Sequence, residues 1–183
     1  PFKITPGVLT TWTNLMRIMP RALLVMQQQD DEPTPATISA ELAVRGIDAK
    51  RRVILLPRCS HAEHLARLSR LVGSGGHYNG YDHDQGRRRR GRGRWFAPVF
   101  LDTPSFNSGT TGLDTLWSGI PLVTLTGEKM VARMAAGMVL AAGMPETVVH
   151  TLLEYEDVVM QLLFTPTTAA AAEATAAAAK AVV

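Results

Sequence analysis

The residues of this chain best suited to chemistry lie between positions 99 and 125, in the run VFLDTPSFNSGTTGLDTLWSGIPLVTL. Ser108-Gly109-Thr110-Thr111-Gly112 falls where an apolar strand pattern gives way to a helical one. At such a junction free backbone N–H groups and the positive end of the helix dipole point outward, which suits a diphosphate. The hydroxyls of Thr110 and Thr111 add donors, and Asp114, one turn on, can accept hydrogen bonds from sugar hydroxyls. The plainer alternative is an ordinary helix start, with Thr110 as its cap and Asp114 complementing its dipole. Both readings stand on the residues alone.

A second candidate group, Cys59-Ser60-His61-Ala62-Glu63-His64-Leu65-Ala66-Arg67, occupies the same kind of strand-to-helix junction. Both junctions would line one crevice. His61, His64 and Arg67 recur at intervals of three and share a helix face. They suit phosphate or base recognition, or form a solvated face. A metal held by Cys59, His61 and His64 matches no standard zinc spacing, and no second pair of ligands is evident. Gly127-Glu128-Lys129-Met130 lacks the spacing of a P-loop. Gly73-Ser74-Gly75-Gly76 follows a helix, so it is no dinucleotide fingerprint. The stripe Met130, Met134, Met138 reads as core packing.

The elements that must position these residues alternate between strand and helix. A helix is expected from Pro6 to Met19, with Thr5 as N-cap and Pro6 at N1. Strands follow at 22–26 and 53–57, separated by a loop at 27–35 and a helix at 36–45 that Gly46 ends. Lys50-Arg51-Arg52 leads into the second strand. Ser60 and Glu63 form a capping box for a helix to about Val72. Further strands are expected at 97–102 and 121–125, with a helix near 110–118 between them. Glu128 to Ala142 reads as one long helix, and Thr151 to Leu163 as another. Strands apolar on both sides, alternating with helices, imply a parallel sheet covered by helices on both faces, a Rossmann-like α/β lobe.

The chain has 183 residues and one cysteine, Cys59, which excludes an internal disulfide and suits a reducing compartment. No apolar run reaches the ~18 residues needed to span a bilayer. Residues 73–95 hold six arginines against Asp82 and Asp84, a local +4 within a whole-chain charge of +3, which leaves the remainder at −1. This Gly/Arg-rich stretch reads as a disordered insertion, and Arg87 to Arg94 is its only basis for nucleic-acid binding. Residues 164–183 are Ala-rich, with high helix propensity and little bulk to bury. The ordered domain is therefore expected over residues 1–163. The start at Pro1, without Met and close to a helix, suggests a piece of a longer protein.

The run LDTPSFNSGTTGLDTLWSGIPLVTLTGEKMVARMAAG closely resembles the C-terminal catalytic lobe of the nucleocytoplasmic protein O-GlcNAc transferase family, and more distantly the SPINDLY-like protein O-fucosyltransferases. FKITPGVLTTWTNLMRIMPRALLVM, RVILLPRCSHAEHLAR and LLEYEDVVMQL resemble further segments of that lobe, in the same order. The resemblance covers residues 2–163 outside the insertion. It implies the second, donor-binding lobe of a GT-B glycosyltransferase that moves N-acetylglucosamine from UDP-GlcNAc to Ser/Thr hydroxyls of proteins in nucleus and cytoplasm. It implies no metal or other cofactor, no membrane, and partners absent here: an N-terminal lobe and tetratricopeptide repeats. By the same resemblance Lys3 contacts the diphosphate and stabilises the departing UDP, the catalytic part of the site. His64 and Arg67 lie on the uridine side, Thr110 and Thr111 on the phosphates, and Asp114 on the ribose. Cys59, Ser60, His61 and Gly109 belong to the wider nucleotide-contact stretches. Animal enzymes of the family have histidine at the position of Gly109 and lysine at that of His61, so donor affinity or sugar choice is open to change. Without its other lobe the chain is expected to be inactive. A module with a decayed donor site, or a GDP-fucose-dependent enzyme, is the alternative.

Overall fold

Thr5 has extended backbone, and its side chain accepts a hydrogen bond from the Val8 N–H, so helix α1 (Pro6–Ile18) starts where its cap and proline dictate. The computed structural model describes residues 3–27, 34–73, 98–164 and 176–177. Apart from Gly73, the Gly/Arg-rich stretch lies outside them, as does nearly all of the Ala-rich tail.

The remaining elements are β1 (Leu24–Gln27), α2 (Thr34–Val44), α3 (Ala49–Arg52), β2 (Val53–Leu56), α4 (His61–Gly73), β3 (Phe100–Leu101), α5 (Thr110–Trp117), β4 (Leu122–Leu125), α6 (Met134–Ala141), β5 (Val148–Val149) and α7 (Leu152–Phe164). Every pairing is parallel, β1 with β2 and β4 with both β3 and β5. The expected parallel α/β architecture is present, with five strands among the described residues, in two hydrogen-bonded groups, instead of four in one.

β4 shows how the layers divide. Successive strand residues face opposite ways. Val123 joins the core built by α1, α2 and α7, whereas Leu122 joins the core built by α5 and α6. Asn14 of α1 donates to Glu156 of α7 at 2.9 Å, which fastens two helices of the first layer together. Helix α2 ends as expected: Gly46 has φ +77°, a conformation costly for other residues, and the Ile47 N–H returns to the Leu42 carbonyl.

Three expectations need correction. Lys50-Arg51-Arg52 is not a simple lead into β2 but the short helix α3, capped by the Asp48 side chain on the Lys50 N–H. Residues 128–142 do not form one helix. A 3-10 turn at Met130–Ala132 precedes α6, and the break has a cause. Asn107 donates its backbone N–H to the Val131 carbonyl and accepts the Ala135 N–H on its side-chain oxygen, so the incoming loop takes hydrogen bonds that a continuous helix would need. The methionine stripe is then not a core stripe. Met130 is 76% exposed and Met134 also faces solvent, while Met138 alone packs on the α5–α6 core.

Arg52 carries weight that its sequence context did not announce. Its guanidinium donates to the Ala22, Met16 and Met19 carbonyls at 2.8–2.9 Å, closing the C-terminal end of α1. Partial burial lowers its pKa from the ordinary arginine range. Charged hydrogen bonds of this kind contribute about 1.5–3 kcal/mol when buried and less when partly solvated. Arg52→Ala is therefore expected to lower stability by about 1–2 kcal/mol, read in urea unfolding. A change within error would show the carbonyls are equally well served by water.

Candidate functional site

The two strand-to-helix junctions come together at the carboxyl ends of the strands. At the first, Ser60 and Glu63 make the expected capping box: the Glu63 N–H donates to Ser60 Oγ at 3.3 Å, and the Ser60 N–H donates to Glu63 Oε2 at 3.1 Å. The Ser60 N–H and the Ser60 hydroxyl, both donating to Glu63 Oε2, hold the Glu63 carboxyl below its usual pKa. They also fix the first turn of α4, which carries His61, His64 and Arg67. Arg67 donates to the Pro57 carbonyl at 2.8 Å and so ties α4 to the end of β2.

At the second junction α5 starts at Thr110 without a side-chain cap on Gly109. Gly112 and Leu113 donate to the Gly109 carbonyl. Among the described residues no hydrogen bond engages the N–H groups of Thr110 and Thr111. Both threonines are exposed. An uncapped helix N-terminus with free, exposed donors is what an anionic group requires. The capped-start alternative, in which Thr110 satisfies the helix, is not what the structure shows.

Asp114 joins the two junctions. His61 Nε2 lies 3.0 Å from its Oδ1, and His64 Nε2 lies 3.8 Å from its Oδ2. The Asp114 side chain is mostly covered, at 18% exposure, whereas His61 is 69% exposed. His64 Nε2 is buried and has no hydrogen-bond partner. A buried polar atom left in this state is costly, so it points to a group that the site is built to receive. Ser108 Oγ, just before the turn, is buried close to the Asp102 carboxylate. Lys3 arrives from the chain start, with Nζ 4.3 Å from the centre of the Phe106 ring. Lys3, His64, Arg67 and Thr111 all line one cavity of about 500 Å³. Cys59 is half-buried beside the α4 start and is a free thiol. Of the ten residues singled out, none lies away from this region. Among the described residues no group of three or more His, Cys, Asp or Glu side chains is close enough to hold a metal ion. No helix among them is long and apolar enough to cross a membrane.

Sequence reasoning missed the residues that hold the turn in place. Asp102, at the end of β3, is 1% exposed. Its Oδ1 accepts the Ser108 N–H and its Oδ2 accepts the Thr124 hydroxyl, each at 2.7 Å. Its backbone carbonyl accepts the Tyr155 hydroxyl at 3.0 Å. Burial raises the Asp102 carboxyl pKa, against the pull of these donors. It raises Tyr155 well above the ordinary tyrosine value, with the nearby Asp102 charge adding to the effect. Asn107 adds the α6 contacts described above. An aspartate directly after an apolar strand and before a Ser/Asn/Gly loop was the available signal.

A Rossmann-like lobe with two facing helix starts and a shared acidic residue defines a class of protein, the carboxyl-terminal lobe of a GT-B glycosyltransferase. Residues 83–179, more than half of the chain, match glycosyl transferase family 41, and the chain belongs to that family. It is 29% identical over 164 residues to UDP-N-acetylglucosamine--peptide N-acetylglucosaminyltransferase of Caenorhabditis elegans, covering 88% of this chain and 12% of the relative. It is 28% identical over 166 residues to the probable UDP-N-acetylglucosamine--peptide N-acetylglucosaminyltransferase SEC of Arabidopsis thaliana, covering 88% and 14%. A solved structure of a mutant O-GlcNAc transferase from Thermobaculum terrenum superposes with a TM-score of 0.76 at 27% identity, over 98% of this chain and 30% of that one. The chain thus spans only about an eighth of the length of the curated relatives it matches.

Proposed function

We propose that this chain is the donor-binding lobe of a UDP-GlcNAc:protein Ser/Thr N-acetylglucosaminyltransferase, acting in nucleus and cytoplasm with an upstream lobe and tetratricopeptide repeats. The observation that carries the proposal is the meeting of His61 and His64 on Asp114, beside the uncapped start of α5. In this reading the Thr110 and Thr111 N–H groups and hydroxyls take the diphosphate and Asp114 takes the ribose. His64 and Arg67 flank the uridine. Glycosyl transfer leaves negative charge on UDP. Lys3 and the positive end of α5 stabilise that charge as it develops, which favours the transition state over the bound donor.

Gly109 is not required by packing. A Cβ there would meet only Met134 Cε, at an ordinary 3.5 Å. The missing side chain therefore leaves room beside the phosphates, and this position bears on which donor is held.

The test is calorimetric titration of UDP and GDP into protein that carries both lobes. UDP is expected to bind at least tenfold more tightly than GDP, and Lys3→Ala to weaken UDP about tenfold, or about 1.4 kcal/mol. A preference for GDP would move the assignment to the fucose enzymes. No binding of either nucleotide would leave a non-catalytic module.

A further inference from the structure

Phe106 is a large apolar side chain whose place packing does not explain. It is 37% exposed, and among the described residues neither apolar core includes it. Its backbone, in contrast, is held firmly. The Thr103 hydroxyl donates to the Phe106 carbonyl at 2.8 Å. The next residue, Asn107, donates its N–H to the Val131 carbonyl at 2.8 Å and its side-chain amide to the Thr103 carbonyl at 3.2 Å. The Ser108 N–H is then bound by buried Asp102. The ring is therefore presented from a fixed loop, just ahead of Gly109.

What the ring meets is Lys3. Its Nζ lies 4.3 Å from the ring centre, inside the ~6 Å range over which an aromatic face attracts a cation. Among the described residues no carboxylate pairs with Lys3. The difference matters beside a diphosphate. A carboxylate would hold the ammonium, but it would also offset the charge and repel phosphate oxygens. The quadrupole of a ring holds the ammonium and leaves its charge available. A lysine stem is otherwise flexible, and that freedom must be lost before the ammonium can act at one point. The ring also belongs to the loop that runs into Thr110 and Thr111. It thus registers a lysine from a distant part of the sequence against the free donors of α5, and Lys3 and Thr111 line the same cavity.

We infer that Phe106 is a positioning residue, whose ring holds the Lys3 ammonium at the side of the phosphate-facing turn without offsetting its charge. This inference rests on the reading of Lys3 as the group that stabilises departing UDP. The property required is an aromatic face and not apolar bulk, so tyrosine can replace Phe106 and leucine cannot.

The experiment is a double-mutant cycle in protein that carries both lobes, read as UDP dissociation constants by calorimetric titration, with the melting temperature of each variant as a check on folding. Phe106→Leu is expected to weaken UDP about threefold to fivefold, the size of a partly exposed cation–π contact, and Phe106→Tyr to bind like the parent. In a Lys3→Ala background, Phe106→Leu is expected to change the affinity by less than about 1.5-fold. If Phe106→Leu does not fold, Phe106→Met takes its place in the cycle. An equal loss in both backgrounds overturns the inference, because the ring then acts without the lysine. So does an equal loss in Phe106→Tyr and Phe106→Leu. A Phe106→Leu variant as tight as the parent, with Lys3→Ala weakened, overturns the inference and leaves the donor reading intact. No effect of Lys3→Ala, or no UDP binding by the parent, removes the donor role of Lys3 and this inference with it.

Discussion

Asp102→Ala lowers the stability of the domain by about 3 kcal/mol. The substitution leaves the buried Ser108 N–H and Thr124 hydroxyl without their acceptor, and each such orphan costs about 1–3 kcal/mol. Asp102→Asn is milder, because its amide oxygen can keep the Ser108 N–H and Thr124 can turn to accept from the amide nitrogen. The pH dependence has a definite sign. Burial raises the Asp102 pKa in the folded state. The folded chain therefore holds that proton more tightly than the unfolded one. The resulting contribution is present at low pH and is lost as pH rises through the folded-state value. The stability of the parent relative to Asp102→Asn should accordingly decline as the pH rises above about 4, the ordinary aspartate value. Urea unfolding of both variants across that range measures it. A loss below 1 kcal/mol for Asp102→Ala would show that water replaces the carboxylate.

Asp114→Ala weakens UDP binding about thirtyfold, equivalent to about 2 kcal/mol. The size follows from the environment: the carboxylate is largely covered, so its hydrogen bonds to a ribose would be poorly screened. The sign for its neighbour is opposite. His61 already lies 3.0 Å from Asp114 Oδ1, so it competes with a ribose hydroxyl for that oxygen. His61→Ala removes that competitor and should leave UDP affinity unchanged or improved. Titration of UDP into protein with both lobes reads both variants. Equal affinity for the parent and Asp114→Ala would remove Asp114 from the nucleotide.

Much of the architecture was legible because it is local. Thr5-Pro6, Ser60 with Glu63, and Gly46 each determine a helix end through bonds within a few residues, and all three ends stand where those residues put them. The candidate site was legible for the same reason, since both junctions read as strand-to-helix turns and parallel α/β topology brings such turns to one edge. The failures are long-range. Nothing near Val131 reveals that Asn107 will interrupt the helix there. β5 is only two residues, Val148–Val149, and exists because β4 lies beside it. Asp102 reads as no more than the last residue of a strand until Thr124 and Tyr155 close around it.

The Tyr155 hydroxyl has a consequence for where this unit can be cut. It belongs to α7, the last helix described before residue 164, yet it ends on the carbonyl of the same residue whose carboxylate holds the turn at Ser108. The turn at Ser108 is thus anchored, through Asp102, from a point 53 positions beyond that aspartate. A fragment trimmed before α7 would retain every residue proposed to touch the donor and still lose the shape of its turn. The minimal unit is set by its anchor and not by its contacts.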